Sequence, residues 1–288
     1  MKNYIIIIMC AMLVCFGCSG KTADNSAPAS AQAKQQVAVT PEAQKLISFW
    51  DEADFNDTIT WHNEELLQQN FIRFISGMPD IEQEELRQQA FAAMIDKAAA
   101  DPKILEMLNF MGERYLYSPD SPFLADNLYM DFLEAWTSSD KFSDTDLIRP
   151  RALLEQAKKN LPGTRATDFA YTDRDGNQKT LLNSLDGKTL LLIFYDPDCD
   201  HCRKVFKQFG EDPGFNADLA SGAFTVLAIY AGDDEDEWKK NLDMIPTGWA
   251  VGISPDVDEN ELYIVRSTPE MYFIDANGTV IEKDLFPQ

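Results

Sequence analysis

The sequence predicts two architectures in one chain: an all-α helical domain over residues 41–160, then over 161–288 a mixed α/β sheet flanked by helices. Three observations carry this. Between 41 and 160 apolar residues recur at three- and four-residue spacing, as among Leu66, Phe71, Phe74 and Ile75, the period of helices that bury one face. Beyond 161, apolar runs of strand length alternate with helical stretches, the pattern of a sheet covered on both faces. Near the end, two such runs flank Asn277-Gly278, a strong hairpin signal.

The helical part is read from its caps. Thr40-Pro41 opens a first helix with Pro at its first position. Asn63 precedes a segment that stops at Gly77, and Asp80 with Gln83 forms a capping-box pattern before 81–100. Asp101-Pro102 and Ser121-Pro122 repeat the cap-and-proline device, and a last segment, 146–160, has Pro150 near its first turn. The expectation is a bundle of five or six helices. His62 stands beside Trp61 with no ligand or nucleophile pattern around it, so it reads as an ordinary surface or satisfied histidine, and the aromatic stripes read as core. Nothing in this part carries chemistry.

Leu161-Pro162-Gly163 marks the boundary. Residues 168–173 alternate as a short strand, and Asp175-Gly176 reads as a turn. The apolar run from Thr189 to Tyr195 reads as a buried parallel strand broken by Asp196-Pro197. It delivers Cys199 and Cys202, and a helix then continues to Gly210. Residues 223–232 form a second buried strand, 233–245 a helix with acids in its first turn, 249–253 a third strand, 258–265 a helix before Arg266, and 271–285 the closing hairpin.

Composition narrows the function. The chain has 288 residues, long for one domain and about right for two, and 45% are hydrophobic, enough for real cores. Its net charge of −23 argues against nucleic acid and anionic lipid surfaces as partners. Residues 1–17 carry one lysine, an apolar run and a small residue before Cys18, which is a secretory signal pattern. It resembles a bacterial lipoprotein signal, with Cys15 where Leu is commonest and Cys18 as the lipidated residue. Residues 18–40 are small and polar, a flexible tether. Ser19 after Cys18 favours the outer membrane by resemblance to sorting rules in other bacteria. Once Cys10 and Cys15 leave with the signal and Cys18 takes lipid, Cys199 and Cys202 are the remaining thiols; they pair with each other or with another molecule. With two histidines in the chain, zinc lacks ligands, and no metal is expected.

These landmarks resemble a known family. Gly163 through Asp168-Phe169, Asp175 with Leu181, Leu185 with Gly187-Lys188, Phe194 with Pro197, Cys199 and Cys202, Tyr263 with Val265 and Pro269, and Phe273-Ile274-Asp275 with Gly278 follow the order of the thioredoxin fold. The likeness is to its membrane-tethered thiol:disulfide oxidoreductases of the TlpA/ResA type, and it spans about 120 residues. Residues 41–160 resemble the unassigned N-terminal domains that precede such modules in exported lipoproteins of Bacteroides-group bacteria. The resemblance implies Cys199 as nucleophile at a helix N-terminus, Cys202 as resolving thiol, and Thr268-Pro269 as the substrate-binding cis-proline segment. His201, Asp198 and Asp200 would tune the pair, the histidine favouring a thiolate and the aspartates, with Asp196, opposing it. Two departures stand out. Asp198 replaces the usual aromatic before the first cysteine, and Ile193 replaces the buried acid that often serves the second.

The expectation is therefore a lipid-anchored, periplasm-facing thiol:disulfide oxidoreductase. It has no cofactor beyond the Cys199–Cys202 disulfide, and its partners are protein thiols and disulfides, a redox-recycling protein and the bilayer. The rival is a redox-silent scaffold lipoprotein whose helical domain recruits a partner. A peroxidase is disfavoured because Tyr195 stands where its threonine belongs.

Overall fold

The computed structural model describes residues 38–283, so the signal pattern, Cys18 and most of the tether lie outside the described residues. The helical region comprises α1 (Pro41–Ile47), α2 (Thr58–Trp61), α3 (Glu64–Ser76), α4 (Glu84–Ala98), α5 (Pro102–Gly112), α6 (Asp126–Ser138) and α7 (Ile148–Ala157). A π-helical turn, Glu113–Tyr117, extends α5. Thr40, Asn63 and Asp101 cap α1, α3 and α5 by accepting backbone N–H groups, as their positions before helical runs require.

Two starts differ from the cap reading. Helix α4 begins at Glu84 after Gln83, because Asp80 is taken up in a 3₁₀ turn, Met78–Asp80. Helix α6 begins at Asp126, because Ser121 spends its hydroxyl on a local turn, donating to the Tyr115 carbonyl and accepting the Phe123 N–H.

Aromatic side chains fill this region's core. Phe74 meets Phe91 edge-on at 5.6 Å, Phe91 meets Phe132 at 5.6 Å, and Trp136 stacks on Phe142 at 5.1 Å. Gly112 lets α5 approach α6: a Cβ there would stand 2.6 Å from the Phe132 ring. One ion pair is buried in this core. Arg87 Nε donates to Asp131 at 2.5 Å, and its Nη1 donates to the carbonyls of Ile81 and Glu82. Burial pushes the Asp131 carboxyl above its usual range despite the guanidinium beside it.

The C-terminal part is a seven-stranded sheet. Its strands are β1 (Ala170–Asp173), β2 (Gln178–Thr180), β3 (Thr189–Tyr195), β4 (Phe224–Tyr230), β5 (Ala250–Ile253), β6 (Glu270–Ile274) and β7 (Val280–Lys283), in the order β2-β1-β5-β4-β3-β6-β7. Strands β3, β4 and β5 are parallel, and the outer pairs are antiparallel. Along β3 the residues alternate between two cores. Leu190, Leu192 and Phe194 face one with Tyr263 and Tyr272; Leu191, Ile193 and Tyr195 face the other with Cys202, Phe206 and Trp238.

The remaining helices are α8 (Asp200–Glu211), α9 (Pro213–Ser221), α10 (Glu235–Lys240) and α11 (Asp256–Glu259). Helix α9 was not anticipated, although Asp212-Pro213 is the same cap-and-proline device that opens α1, and Asp212 accepts the Phe215 N–H at 2.8 Å. The helix expected over 258–265 is corrected. Helix α11 ends at Glu259, Glu261 takes a left-handed φ of 48°, and the chain then runs irregularly. Tyr263 and Ile264 are drawn into the core instead, Tyr263 donating to the Thr167 carbonyl at 2.8 Å. The hairpin turns as expected: Gly278 adopts φ 87°, and Asp275 accepts N–H groups of Asn277 and Thr279.

Truncating one partner of the buried pair should be costly. Arg87→Ala leaves the Asp131 carboxylate in a dry core and is expected to lower unfolding free energy by about 3 kcal/mol in urea melts. Arg149→Ala breaks the exposed pair with Glu113 and is expected to change it by less than about 1 kcal/mol.

Candidate functional site

The site forms where β3 ends. Proline at 197 cannot extend the ladder, and Asp196 organises the turn: its carboxylate accepts the Asp198 N–H at 2.8 Å and its carbonyl the Cys199 N–H at 3.1 Å. Cys199 is then the N-cap of α8. Its backbone is extended (φ −86°, ψ 109°), and its sulfur accepts the Cys202 N–H at 3.1 Å, the part an oxygen plays in ordinary caps. The turn is latched from outside by Arg203, whose guanidinium donates to the Pro197 carbonyl at 2.9 Å and to Asn241 just after α10. Nothing in the spacing announced that latch, because Arg203 and Asn241 are far apart in sequence.

The two thiols occupy different environments. Cys199 is half-buried, and its S–H donates toward the Thr268 carbonyl at 3.6 Å. Cys202 is fully buried against Ile193, Tyr195 and Met271. Partial burial opposes ionisation of Cys199. It is outweighed by the Cys202 thiol and N–H, the Thr268 side chain and the His201 N–H, and the Cys199 pKa falls below that of an ordinary thiol. Burial pushes the Cys202 thiol up to about 12, helped by its hydrogen bond to Cys199 and opposed by the Asp196 backbone and the Thr268 side chain.

The expected site residues divide accordingly. Cys199, Cys202 and Thr268 come together, with Pro269 buried behind Thr268 and the Thr268-Pro269 bond cis. His201 acts on Cys199 through its backbone N–H while its side chain is exposed. Asp198 and Asp200 are exposed on either side of Cys199. At the position of the missing acid, Ile193 is completely buried in the Cys202 core. The buried acid of β6, Glu270, pairs in register with Phe194 and so belongs to the opposite face of the sheet. Among the described residues no group of three or more His, Cys, Asp or Glu is placed to hold a metal ion.

Comparison with known proteins agrees with the fold. Residues 46–160 match the model of a domain of unknown function, DUF5106, and residues 177–283 match the thioredoxin-like domain. A crystal structure of a thioredoxin-like protein from Bacteroides caccae aligns over 89% of this chain and 93% of its own, with 28% identity and a TM-score of 0.76. A conserved protein of unknown function from Bacteroides fragilis is 37% identical over 44% of this chain and 93% of its own, with a TM-score of 0.42. The thioredoxin domain of a thiol-disulfide oxidoreductase from Bacteroides vulgatus is 26% identical over 43% of this chain and 89% of its own, with a TM-score of 0.37. No curated protein matches the chain.

The asymmetry of the thiols sets their order of reaction. Alkylation by iodoacetamide follows the thiolate, so its rate at Cys199 rises with pH through a midpoint below that of an ordinary thiol. Cys202 is expected to stay unmodified until near pH 12 in the folded protein. Mass mapping of the labelled peptide across a pH series checks both.

Proposed function

We propose that this chain, a member of the thioredoxin-like family through its C-terminal domain, is a thiol:disulfide oxidoreductase that exchanges disulfides with client proteins through Cys199 and Cys202. The observation that carries the reading is the division of labour between the sulfurs. One is half-exposed at a helix N-terminus with its pKa lowered; the other is buried, one turn on, with its pKa raised.

In the reducing direction, the Cys199 thiolate attacks a client disulfide. A Cys199–client S–S bond forms, the client's own S–S bond breaks, and one client sulfur leaves as a thiolate. Cys202 then loses its proton, to the departing thiolate or to water, and attacks the Cys199 sulfur. The intramolecular disulfide closes and the second client thiolate is released. Two electrons pass from the pair to the client, and a separate redox partner must return them. Run backwards, the same steps oxidise a client dithiol. The Thr268 carbonyl faces the attacking sulfur and is available to accept a backbone N–H from an extended client segment.

This reading includes export and anchoring through lipidated Cys18, with the domain facing the periplasm. Support for that part is the pattern of residues 1–18 and the polar stretch after it. An exported compartment also suits a pair whose chemistry needs disulfides to persist.

Cys199→Ser is expected to abolish insulin reduction and glutathione-linked cycling, while Cys202→Ala still attacks and accumulates mixed disulfides that non-reducing gels resolve. Full turnover in Cys199→Ser, or a wild-type pair that never passes between dithiol and disulfide, sinks the enzyme reading in favour of a scaffold.

A further inference from the structure

We infer that Asp198, together with Asp200, determines specificity at the redox site: it selects clients whose reacting cysteine lies in a basic segment. The inference rests on the oxidoreductase reading and names the substrate class for it.

The place where a client reacts is set independently of these acids, by the half-buried Cys199 sulfur and the Thr268 carbonyl facing it. Around that sulfur the charge is largely of one sign. From Asp196 to Cys202 the ionisable side chains other than the thiols are three aspartates and His201. Asp198 and Asp200 are the covalent neighbours of Cys199, and both are exposed. Consecutive Cα atoms are ~3.8 Å apart, so each carboxylate stays within roughly 10 Å of the sulfur in any rotamer.

The parallel register of β3 and β4 brings further acids to the same edge. Tyr195 pairs with Tyr230, which sets Asp196 beside the loop that carries the exposed Asp233 and Asp234. Burial and the charges of Asp196, Asp234 and Asp233 push the Tyr230 phenol up, so these acids share its surroundings.

The cations of this region are engaged elsewhere. Lys239 pairs with Glu235 at 2.6 Å and Lys240 with Glu237 at 3.3 Å. Arg203 is committed to the Pro197 carbonyl and Asn241, and Lys204 follows past the first turn of α8. Among the described residues no cation forms an ion pair with Asp196, Asp198, Asp200 or Asp233.

Two of these acids have a use within the fold. Asp196 organises the turn, and Asp200 suits the positive end of α8. Asp198 lies before the helix, and its carboxylate makes no hydrogen bond among the described residues. Its backbone N–H is held by Asp196 at 2.8 Å, so its place beside Cys199 is fixed. Exchange brings the client's sulfur onto Cys199, and the residues flanking the client's cysteine then pass Asp198 and Asp200. A lysine or arginine there meets an unpaired carboxylate, whereas an acid meets like charge. One close unit pair in water changes a rate or an equilibrium about fivefold.

The test is single-turnover oxidation of the reduced full-length protein by three small disulfides. Cystamine is a dication, hydroxyethyl disulfide is neutral and dithiodipropionate is a dianion. With each, a Cys199–probe bond forms and one probe thiolate leaves; Cys202 then closes the intramolecular disulfide and releases the second. The pair loses two electrons to the probe. Free thiols are counted by mass spectrometry after acid quench, and each rate is divided by that of dithiothreitol with the same disulfide. At low salt the normalised rate for cystamine is expected to exceed that for dithiodipropionate about tenfold. The spread is expected to shrink in ~1 M salt. It falls about threefold in Asp198→Asn and further in Asp198→Asn/Asp200→Asn. A changed thiolate fraction scales all three rates alike and leaves the spread untouched, so it cannot imitate this result. Circular dichroism checks that the variants, altered at exposed side chains, are folded. Equal normalised rates in the wild type, or a spread that Asp198→Asn leaves unchanged, overturn the inference. Oxidation by none of the three defeats the oxidoreductase reading instead. The charge at the site is then judged by alkylation of Cys199 with iodoacetate against iodoacetamide, where a ratio equal to that of dithiothreitol is equally fatal.

Discussion

The antiparallel register between β3 and β6 is the constraint on which the site depends. Phe194 pairs with Glu270, so continuing that register by one or two residues brings Pro269 and Thr268 beside Tyr195 and Asp196. The end of one strand and the beginning of the other thus meet at a single edge, where Cys199 leaves the sheet. A slip by one residue would turn the Leu192 and Ile193 faces over and bury the wrong side chains, which the two packed cores forbid. Cys199 and Thr268, 69 positions apart, are neighbours because hydrophobic alternation on β3 permits no other pairing.

Ionisation at the pair is decided by short contacts. Exposed carboxylates such as Asp198 and Asp200 act through water, where a unit charge at 4 Å is worth about 1 kcal/mol and salt screens it further. Hydrogen bonds to a charged sulfur contribute about 1.5–3 kcal/mol each, and Cys199 has several donors within reach. Their sum exceeds the opposition of burial, and the result is a lowered Cys199 pKa despite an acidic neighbourhood. Cys202 receives the opposite treatment from the same geometry, since the bond that stabilises a Cys199 thiolate requires Cys202 to keep its proton. Ile193 packs in the Cys202 core and offers no proton acceptor, so in the proposed exchange that proton goes to solvent or the client.

Elements governed by local chemistry were legible in the sequence. The buried strands, the Asn277-Gly278 hairpin and the proline-opened helices α1 and α5 follow from period, cap and turn residues. The helix expected over 258–265 failed because tertiary burial of Tyr263 and Ile264 outbid an acidic start that looked like a helix cap. Asp80 and Ser121 failed as caps because each had a nearer turn to serve. In the site, the cysteines and Thr268-Pro269 were legible from spacing and order. The Arg203 latch was not, because Arg203 and Asn241 carry no shared period and meet only once α8 and α10 have packed.

The contact between the helical region and the sheet shows the same limit in a stronger form. Asp126 and Arg266 are separated by 140 positions, and each alone reads as a solvated surface charge. Their partnership belongs with the Arg87–Asp131 pair between α4 and α6, and differs from the aromatic and aliphatic burial that joins most of the elements. An apolar joint tolerates small slides at little cost, because dispersion is not directional. A half-buried carboxylate shared between two buried cations tolerates far less, since its geometry must be kept for desolvation to be offset. Replacing it with apolar residues of similar volume would often leave stability unchanged or higher, so stability is a poor reason for such a joint to exist.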